Sequence, residues 1–297
     1  MAKKERFCGI ILAGGSGTRL FPITKGVSKQ MLPIYDKPTI YYPLSTLMLA
    51  GIKDILIITT THDNLKFQQL LGDGSAFGIK LSYAVQNEPK GIAQALLLGE
   101  DFIKNDSVAL ILGDNVYHGS NFSNKLKRAK REVSRESKTI LFGYQVQDPN
   151  RYGVAEIEPT LMEDVFNVIS IEEKPEMPKS NIAVTGLYMY PKGVVEIAKK
   201  LKPSKRGELE ITDLNRQLDC TLVLLDRGYA WFDTGTFDSF YDATSYVMSI
   251  QKRQGLQIAC PEEIAYNNGW ITKEDIEKSI KELGNNSYKE YLEKLIR

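Results

Sequence analysis

Small residues followed by cations, just past an apolar run, are the residues here best suited to chemistry. Phe7 to Ala13 is apolar and opens into Gly14, Gly15, Ser16, Gly17 and Thr18, then Arg19 and, further on, Lys29. Glycines and short hydroxyl side chains leave backbone N–H groups uncovered. Such groups form a concavity for anions, and the cations neutralise the charge that settles there. The chemistry is phosphate binding. No Lys-Ser or Lys-Thr follows the glycines, as a Walker A loop requires, and Leu20 stands where a dinucleotide fingerprint needs its third glycine. Taken alone, the glycines read better as a flexible turn; the combination with Arg19 and Lys29 tips the balance to phosphate binding.

Carboxylates come next. Asp114 follows the apolar run Ser107–Leu112 after one glycine. In an open α/β sheet, ligands bind beyond the carboxyl ends of strands, so Asp114 would share a crevice with the glycine loop. A carboxylate beside phosphates is a natural Mg²⁺ ligand, although Gly-Asp-Asn is also an ordinary turn. Asp233, at the end of a short strand expected at Ala230-Trp231-Phe232, either completes that metal site or belongs to the cap pattern of a helix from Thr236 onward. Asp233-Thr234-Gly235 matches an aspartic-protease triplet, but it occurs once, and that chemistry needs two carboxylates sharing a proton.

Glu173 and Lys174 precede Pro175 at a strand mouth, where alternation puts them on opposite faces unless a bulge intervenes. They would hold a hydroxyl-rich ligand and a phosphate, or simply form a surface pair. Arg206, in a turn after Pro203, is a further cation or an exposed arginine. Gln30 and Gln86 carry amides that could read the imide edge of a pyrimidine. His62 and His118 lack partners at metal-ligand or nucleophile spacing and read as turn residues.

The elements that must position these groups alternate through the first half. Strands are expected at Phe7–Ala13, Asp54–Thr60, Lys80–Val85 and Ser107–Leu112, with helices at Pro38–Gly51, Asn64–Leu71, Gly91–Phe102 and Asn121–Val133. Continuous apolar strands between helices argue for a parallel sheet covered on both faces. Further strands are expected at Thr139–Val146, Gly153–Ile157, Val165–Glu173, Ala183–Tyr190 and Thr221–Leu225. Helices are expected at Gly193–Leu201, Leu209–Leu218 and Phe237–Gln251, with two short ones around Gly284. The expected organisation is one large catalytic domain, 1–236, with a helical appendage, 237–297, packed on it.

With 297 residues, 42% hydrophobic and 25% charged, the composition is that of a soluble globular protein. A net charge of +1 implies no nucleic-acid partner, and no apolar run approaches the ~18 residues of a membrane span. Three cysteines without a CxxC pair, and an N-terminus without the apolar stretch of a signal peptide, fit a reducing cytoplasm.

Gly14–Leu20 with Pro22, Thr24 and Lys29 resembles the signature of the sugar-phosphate nucleotidylyltransferases, and Lys29-Gln30 resembles its thymidylyl branch. The match continues through Leu71–Ser75, Leu112–Asn115, Arg151–Val154, Glu172–Pro175, Val184–Tyr188, Arg206–Asp213, Trp231–Thr236 and Cys260–Tyr266. The resemblance implies a Rossmann-like α/β/α sandwich with a mostly parallel mixed sheet and a helical C-terminal region. It implies dTTP and glucose 1-phosphate as substrates, dTDP-glucose and pyrophosphate as products, Mg²⁺ as cofactor, a homotetramer and a second, feedback site, at the head of a route to dTDP-rhamnose and related sugars. By residue, it implies that Gly14 to Arg19 wrap the triphosphate. Lys29 would act at the reacting phosphate, and Gln86 and Gly91 would contact thymine with Gln30 nearby. Asp114 and Asp233 would hold the metal, with Asp114 also beside the nucleotide. Tyr152, Gly153, Glu173 and Val184 would hold the sugar, and Lys174 and Arg206 its phosphate. The chain departs in being shorter between Asn215 and Arg227 and in carrying Phe237 where family members often have His. The competing readings are the same chemistry with UTP or another sugar, a non-catalytic nucleotide-sugar regulator, and an NAD-dependent oxidoreductase. The last lacks both the third glycine and a clear ribose-binding acid.

Overall fold

The computed structural model describes residues 6–15 and 17–297; Ser16, expected in the anion-binding loop, lies outside them. β1 (Phe7–Ala13) leads through three single-turn 3₁₀ segments to a ribbon of β2 (Pro33–Ile34) and β3 (Lys37–Pro38), then to helix α1 (Tyr41–Leu49). β4 (Asp54–Thr59), α2 (Asn64–Leu71), β5 (Lys80–Val85), α3 (Gln94–Leu98), α4 (Glu100–Ile103) and β6 (Ser107–Leu112) continue the alternation. β7 (Val116–Gly119), α5 (Phe122–Glu136), β8 (Thr139–Gln145), β9 (Gly153–Pro159), β10 (Val165–Glu173) and β11 (Ile182–Tyr190) follow. Then come α6 (Val194–Ala198), α7 (Ile211–Asn215), β12 (Cys220–Leu225) and β13 (Tyr229–Phe232). Helices α8 (Phe237–Gln254), α9 (Pro261–Asn267), α10 (Lys273–Glu282) and α11 (Ser287–Leu295) close the chain.

Nine strands form one mixed sheet in the order β5-β4-β1-β6-β11-β8-β12-β10-β9. The four strands from the first half pair in parallel, and β8 pairs in parallel with β12. β10 and β11 run against their neighbours, so the other seven strands share a direction, as the sequence led us to expect. β9 also touches β11 at Val154 and Ala183, so the far half of the sheet curls back on itself.

Apolar alternation divides β1 between two cores. Ile11 and Ala13 face α1 and α5, while Cys8 and Ile10 face α3 and α6. Sheets buried on both faces need apolar residues at every position, which is why β1, β4 and β6 read as unbroken apolar runs. The expected Gly91–Phe102 helix divides at Gly99, where a β-carbon would lie 2.7 Å from Ile10 Cδ1, so the helical segments pack directly on β1. Helix α5 turns Phe122, Leu126, Ala129 and Val133 inward, at the spacing of a single helical face.

Helices α9 to α11 place Cys260, Ile264, Ala265, Ile276 and Leu292 in the same core as Leu44, Met48 and Phe77. A buried polar knot adds to this. Lys37 Nζ reaches Asp36 (2.6 Å), Gln257 (2.8 Å) and Gln251 (3.2 Å), and Tyr288 donates to Glu262 at 2.5 Å. Helix α9, strand β7 and its pairing with β13 were not expected from the sequence, whereas β13 contains the short strand expected at Ala230–Phe232. His118, expected in a turn, lies in β7 with Nδ1 2.8 Å from the Tyr246 hydroxyl, because the β13 pairing draws that segment into a strand. His62 does occupy a turn. Among the described residues no helix is long and apolar enough to cross a membrane.

Candidate active site

β1 and β6 lie side by side and end together, so the loops that leave them face one crevice. Gly15 and Gly17 adopt φ of 96° and 59°, the left-handed region that glycine enters without steric cost. The Thr24 hydroxyl donates to the Gly17 carbonyl (2.7 Å) and folds the following 3₁₀ turns back against the loop. That fold brings Arg19 and Lys29 to the crevice with Gly15, Gly17 and Thr18. A β-carbon on Gly14 would overlap Oε1 of Gln86, so the Gln86 carboxamide lies directly over that glycine. Gln86 is buried, and its Nε2 donates to Gln94 Oε1 (2.8 Å), which also accepts from the Lys90 amide (2.9 Å).

The crevice has a volume of about 710 Å³. Asp114 lies on its floor, with Lys29 Nζ ion-paired to Oδ2 and Asn115 Nδ2 donating to Oδ1 at 3.0 Å. Asp233 enters from the end of β13 and faces Arg151 at 3.6 Å. The Thr234 hydroxyl donates to the Asp114 carbonyl (2.7 Å) and joins the two aspartate loops. The cap of α8 is Thr236, in a reciprocal box with Ser239, so Asp233 is not used for capping.

The opposite wall comes from β9, β10 and β11. Pairing of β11 with β8 is interrupted between Val184 and Tyr188, and this irregularity presents Val184 and Gly186 to the crevice. Such interruptions commonly re-aim residues beside active sites. Glu173 Oε2 accepts from the Thr212 hydroxyl at 2.6 Å. Lys174 adopts φ of 45° and donates its amide to the Tyr152 carbonyl, which turns the chain so that Glu173 and Lys174 both line the crevice. Tyr152 packs against Trp231 with ring centroids 5.1 Å apart. Burial, reinforced by Asp233, pushes the Tyr152 phenol up to about 12, so it stays a neutral hydroxyl.

Some expected site residues lie outside the crevice wall. Gln30 is buried beneath it, its Oε1 bonded to the Ser28 hydroxyl. Gly91 (φ 99°) packs so closely on Leu209 that a β-carbon would lie 2.6 Å from the Leu209 nitrogen. Arg206 grips Glu210 with contacts of 2.9 and 3.0 Å and stands 3.7 Å from Glu173, at the rim. Arg151, Thr212, Trp231, Asn115 and Thr234 were not assigned roles from the sequence. All five stood in quoted motifs, but only the folded chain shows what they face, Trp231 through the pairing of β13 with β7 and Arg151 through its approach to Asp233.

Charge in the wall is balanced: Arg19, Lys29, Arg151 and Lys174 against Asp114, Glu173, Glu208 and Asp233. A balanced cleft is a poor trap for two polyanions unless a further cation enters with them. The donors available are the carboxylates of Asp114 and Asp233; among the described residues, no cluster of three or more His, Cys, Asp or Glu side chains could hold a metal. A pair of hard carboxylates completed by phosphate oxygens suits Mg²⁺ rather than a metal that wants nitrogen or sulfur ligands. The residues therefore fit Mg²⁺.

Comparison with known proteins follows the same line. The profile of the Nucleotidyl transferase family matches residues 8–249. A glucose-1-phosphate thymidylyltransferase of Neisseria gonorrhoeae is 56% identical over 292 residues, 97% of this chain and 99% of that protein. One from Mycolicibacterium smegmatis is 51% identical, over 97% and 98%. A solved UDP-glucose pyrophosphorylase in complex with UDP-glucose superposes with a TM-score of 0.72 at 28% identity, covering 83% of this chain and 99% of the other.

Proposed function

The chain belongs to the nucleotidyl transferase family, and we propose that its cleft joins dTTP to glucose 1-phosphate, releasing pyrophosphate and dTDP-glucose. Relatives of that activity share more than half of its residues over nearly the full length. The observation that carries the assignment of substrates to the cleft is the meeting of two half-sites in one crevice. One is the glycine loop with Arg19 and Lys29; the other is the sugar-sized wall of Gly153, Glu173 and Val184.

In this reading an oxygen of the sugar phosphate attacks the α-phosphorus of dTTP. The bond from that phosphorus to the bridging oxygen breaks in line, and the electron pair leaves on pyrophosphate. The nucleophile is already an anion, so no general base is needed. Among the described residues that line the crevice there is no histidine. The task that remains is positioning and charge stabilisation. Arg19 and the loop amides hold the triphosphate, and Lys29 lies at the reacting phosphate. Lys174, with Arg206 behind it at the rim, holds the sugar phosphate. Glu173, oriented by Thr212, accepts from sugar hydroxyls, with Tyr152, Gly153 and Val184 completing that wall. Gln86 reads the base from above Gly14, with Gly91 and Gln30 shaping its surroundings. Asp114 and Asp233 would hold Mg²⁺, which supplies charge neutralisation between the reacting phosphates. The assembly expected with this activity is a homotetramer, to be checked by light scattering.

Initial rates of pyrophosphate release across a panel of nucleoside triphosphates and sugar 1-phosphates, with and without Mg²⁺, test the reading. The expected result is highest kcat/KM for dTTP with glucose 1-phosphate and no turnover after chelation. Because a UDP-glucose pyrophosphorylase shares the fold, preference for UTP would overturn the base assignment and leave the chemistry standing.

A further inference from the structure

Asn115 is 2% exposed and joins three elements of the fold. Its Oδ1 accepts from Trp231 Nε1 (2.7 Å), the Gly186 amide (3.2 Å) and the Tyr117 hydroxyl (3.3 Å). An indole and a backbone amide only donate, so the oxygen of the carboxamide must face them. That fixes Nδ2 toward Asp114, where it donates to Oδ1 at 3.0 Å. Gly186 has no room for a side chain at this joint; a β-carbon would lie 2.7 Å from Asn115 Oδ1.

On the reading above, in which Asp114 and Asp233 hold the metal, we infer that Asn115 is a positioning residue for the metal site. Its Nδ2 locks the rotation of the Asp114 carboxylate. Its Oδ1 anchors Trp231, two residues before Asp233, and so fixes the strand that delivers the second carboxylate. Thr234 completes the clasp by bonding the Asp114 carbonyl. Both carboxylates are thus set by one amide that need not touch the metal. The Gly186 contact brings the wall that carries Val184 into the same joint, so the sugar half and the metal half of the cleft share a fixed reference.

Groups that orient metal ligands from behind are worth about 10- to 100-fold in metal affinity. The test is Mn²⁺ binding to chelator-treated protein, followed by electron paramagnetic resonance, with pyrophosphate release and thermal unfolding measured beside it. Asp114→Asn defines the binding that belongs to this site. Asn115→Leu, close to isosteric, is expected to weaken that binding at least 10-fold and to raise the Mg²⁺ needed for half-maximal rate by a similar factor. Trp231→Phe removes one donor, leaves Asn115 in place, and is expected to weaken Mn²⁺ about threefold; it decides the matter if Asn115→Leu does not fold. A folded Asn115→Leu protein with lowered Tm but Mn²⁺ affinity within twofold of wild type would overturn the inference and leave Asn115 as packing alone. Wild-type protein without Asp114-dependent Mn²⁺ binding would overturn it too. Absence of turnover by the wild type with dTTP and glucose 1-phosphate would instead refute the reading of the reaction.

Discussion

Replacing Gly14 with alanine separates base recognition from folding in an unusual way. Gly14 has no left-handed φ to protect, so alanine brings no backbone strain. Its added methyl would overlap a single group, the Oε1 end of Gln86; the next atom is Gln86 Cδ at 3.3 Å. The obstacle is the far end of a flexible side chain, so the fold survives and the carboxamide moves. Once displaced, Gln86 loses its bond to Gln94 and its place over the loop. If that amide reads the thymine imide edge, one to two hydrogen bonds to the nucleotide go with it. At about 0.5–1.5 kcal/mol each, the loss is about 0.5–3 kcal/mol, or roughly 2- to 150-fold in kcat/KM for dTTP. The assay is initial-rate pyrophosphate release for Gly14→Ala, Gln86→Ala and the double variant, with Tm measured alongside. The two changes act on one interaction, so the double variant should lose no more than the worse single one. A Gly14→Ala enzyme with wild-type kcat/KM for dTTP, or two losses that simply add, would refute the placement of the base beside Gln86.

Three other expectations follow from the same geometry. Asp114→Asn keeps shape and removes the charge that Lys29 pairs with; kcat should fall about 10²- to 10³-fold, by analogy with the loss of one preorganised electrostatic contact, and a rate within fivefold of wild type in a steady-state assay would count against a role at the reacting centre. Gly153→Ala puts a methyl 3.1 Å from the Thr212 hydroxyl and 3.4 Å from Glu173 Oε2, so KM for the sugar phosphate should rise several-fold more than KM for dTTP, and equal changes would place the sugar elsewhere. Burial raises the Glu262 carboxyl above its ordinary 4.5; the folded state then binds more protons than the unfolded chain between those two values, and stability falls as pH rises through that window. Glu262→Gln should therefore flatten the decline of Tm above about pH 4.5, and an unchanged slope by circular dichroism would assign the pH dependence to other groups.

Much of the sheet was legible because burial on both faces writes itself as unbroken apolar runs. β1, β5, β6 and β10 run between the residues expected of them. β13 was readable as a short strand at Ala230–Phe232, but β7 and the ribbon they form were not, since β7 is four residues long and its partner lies more than a hundred positions away. Helix α9 was missed for a related reason: seven residues behind a Cys-Pro carry too short a period to stand out. His118 went wrong with the ribbon; a lone histidine after a Gly-Asp-Asn turn looks like more turn until β13 is laid beside it. The Glu173–Lys174 pair shows the limit from the other side. Alternation sends the two side chains to opposite faces, and one backbone angle at Lys174 reverses that.

The site residues divide along the same line. Most of those proposed from sequence line the crevice, because glycines, cations and carboxylates at strand ends announce their chemistry by type, while Gln30, Gly91 and Arg206 lie outside its wall. Those missed hold the others in place, and type says little about them. Asn115 looks like a turn former, Thr234 like the middle of a false protease triplet, and Arg151 like any arginine before an aromatic. Their meaning depends on the sheet bringing the ends of β6, β11 and β13 together. The pairing in that region also bears on the chemistry. Lys29 lies on Asp114 and Arg151 near Asp233, so each carboxylate already has a cation beside it. On the proposed reading Asp114 and Asp233 would hold Mg²⁺, which would supply neutralising charge, and Lys29 would then be available to phosphate oxygens, so no charge need be left unpaired as the cleft fills. Partners that are exchanged rather than created keep reorganisation small, and small reorganisation is the condition under which fixed charges are most effective at a developing transition state.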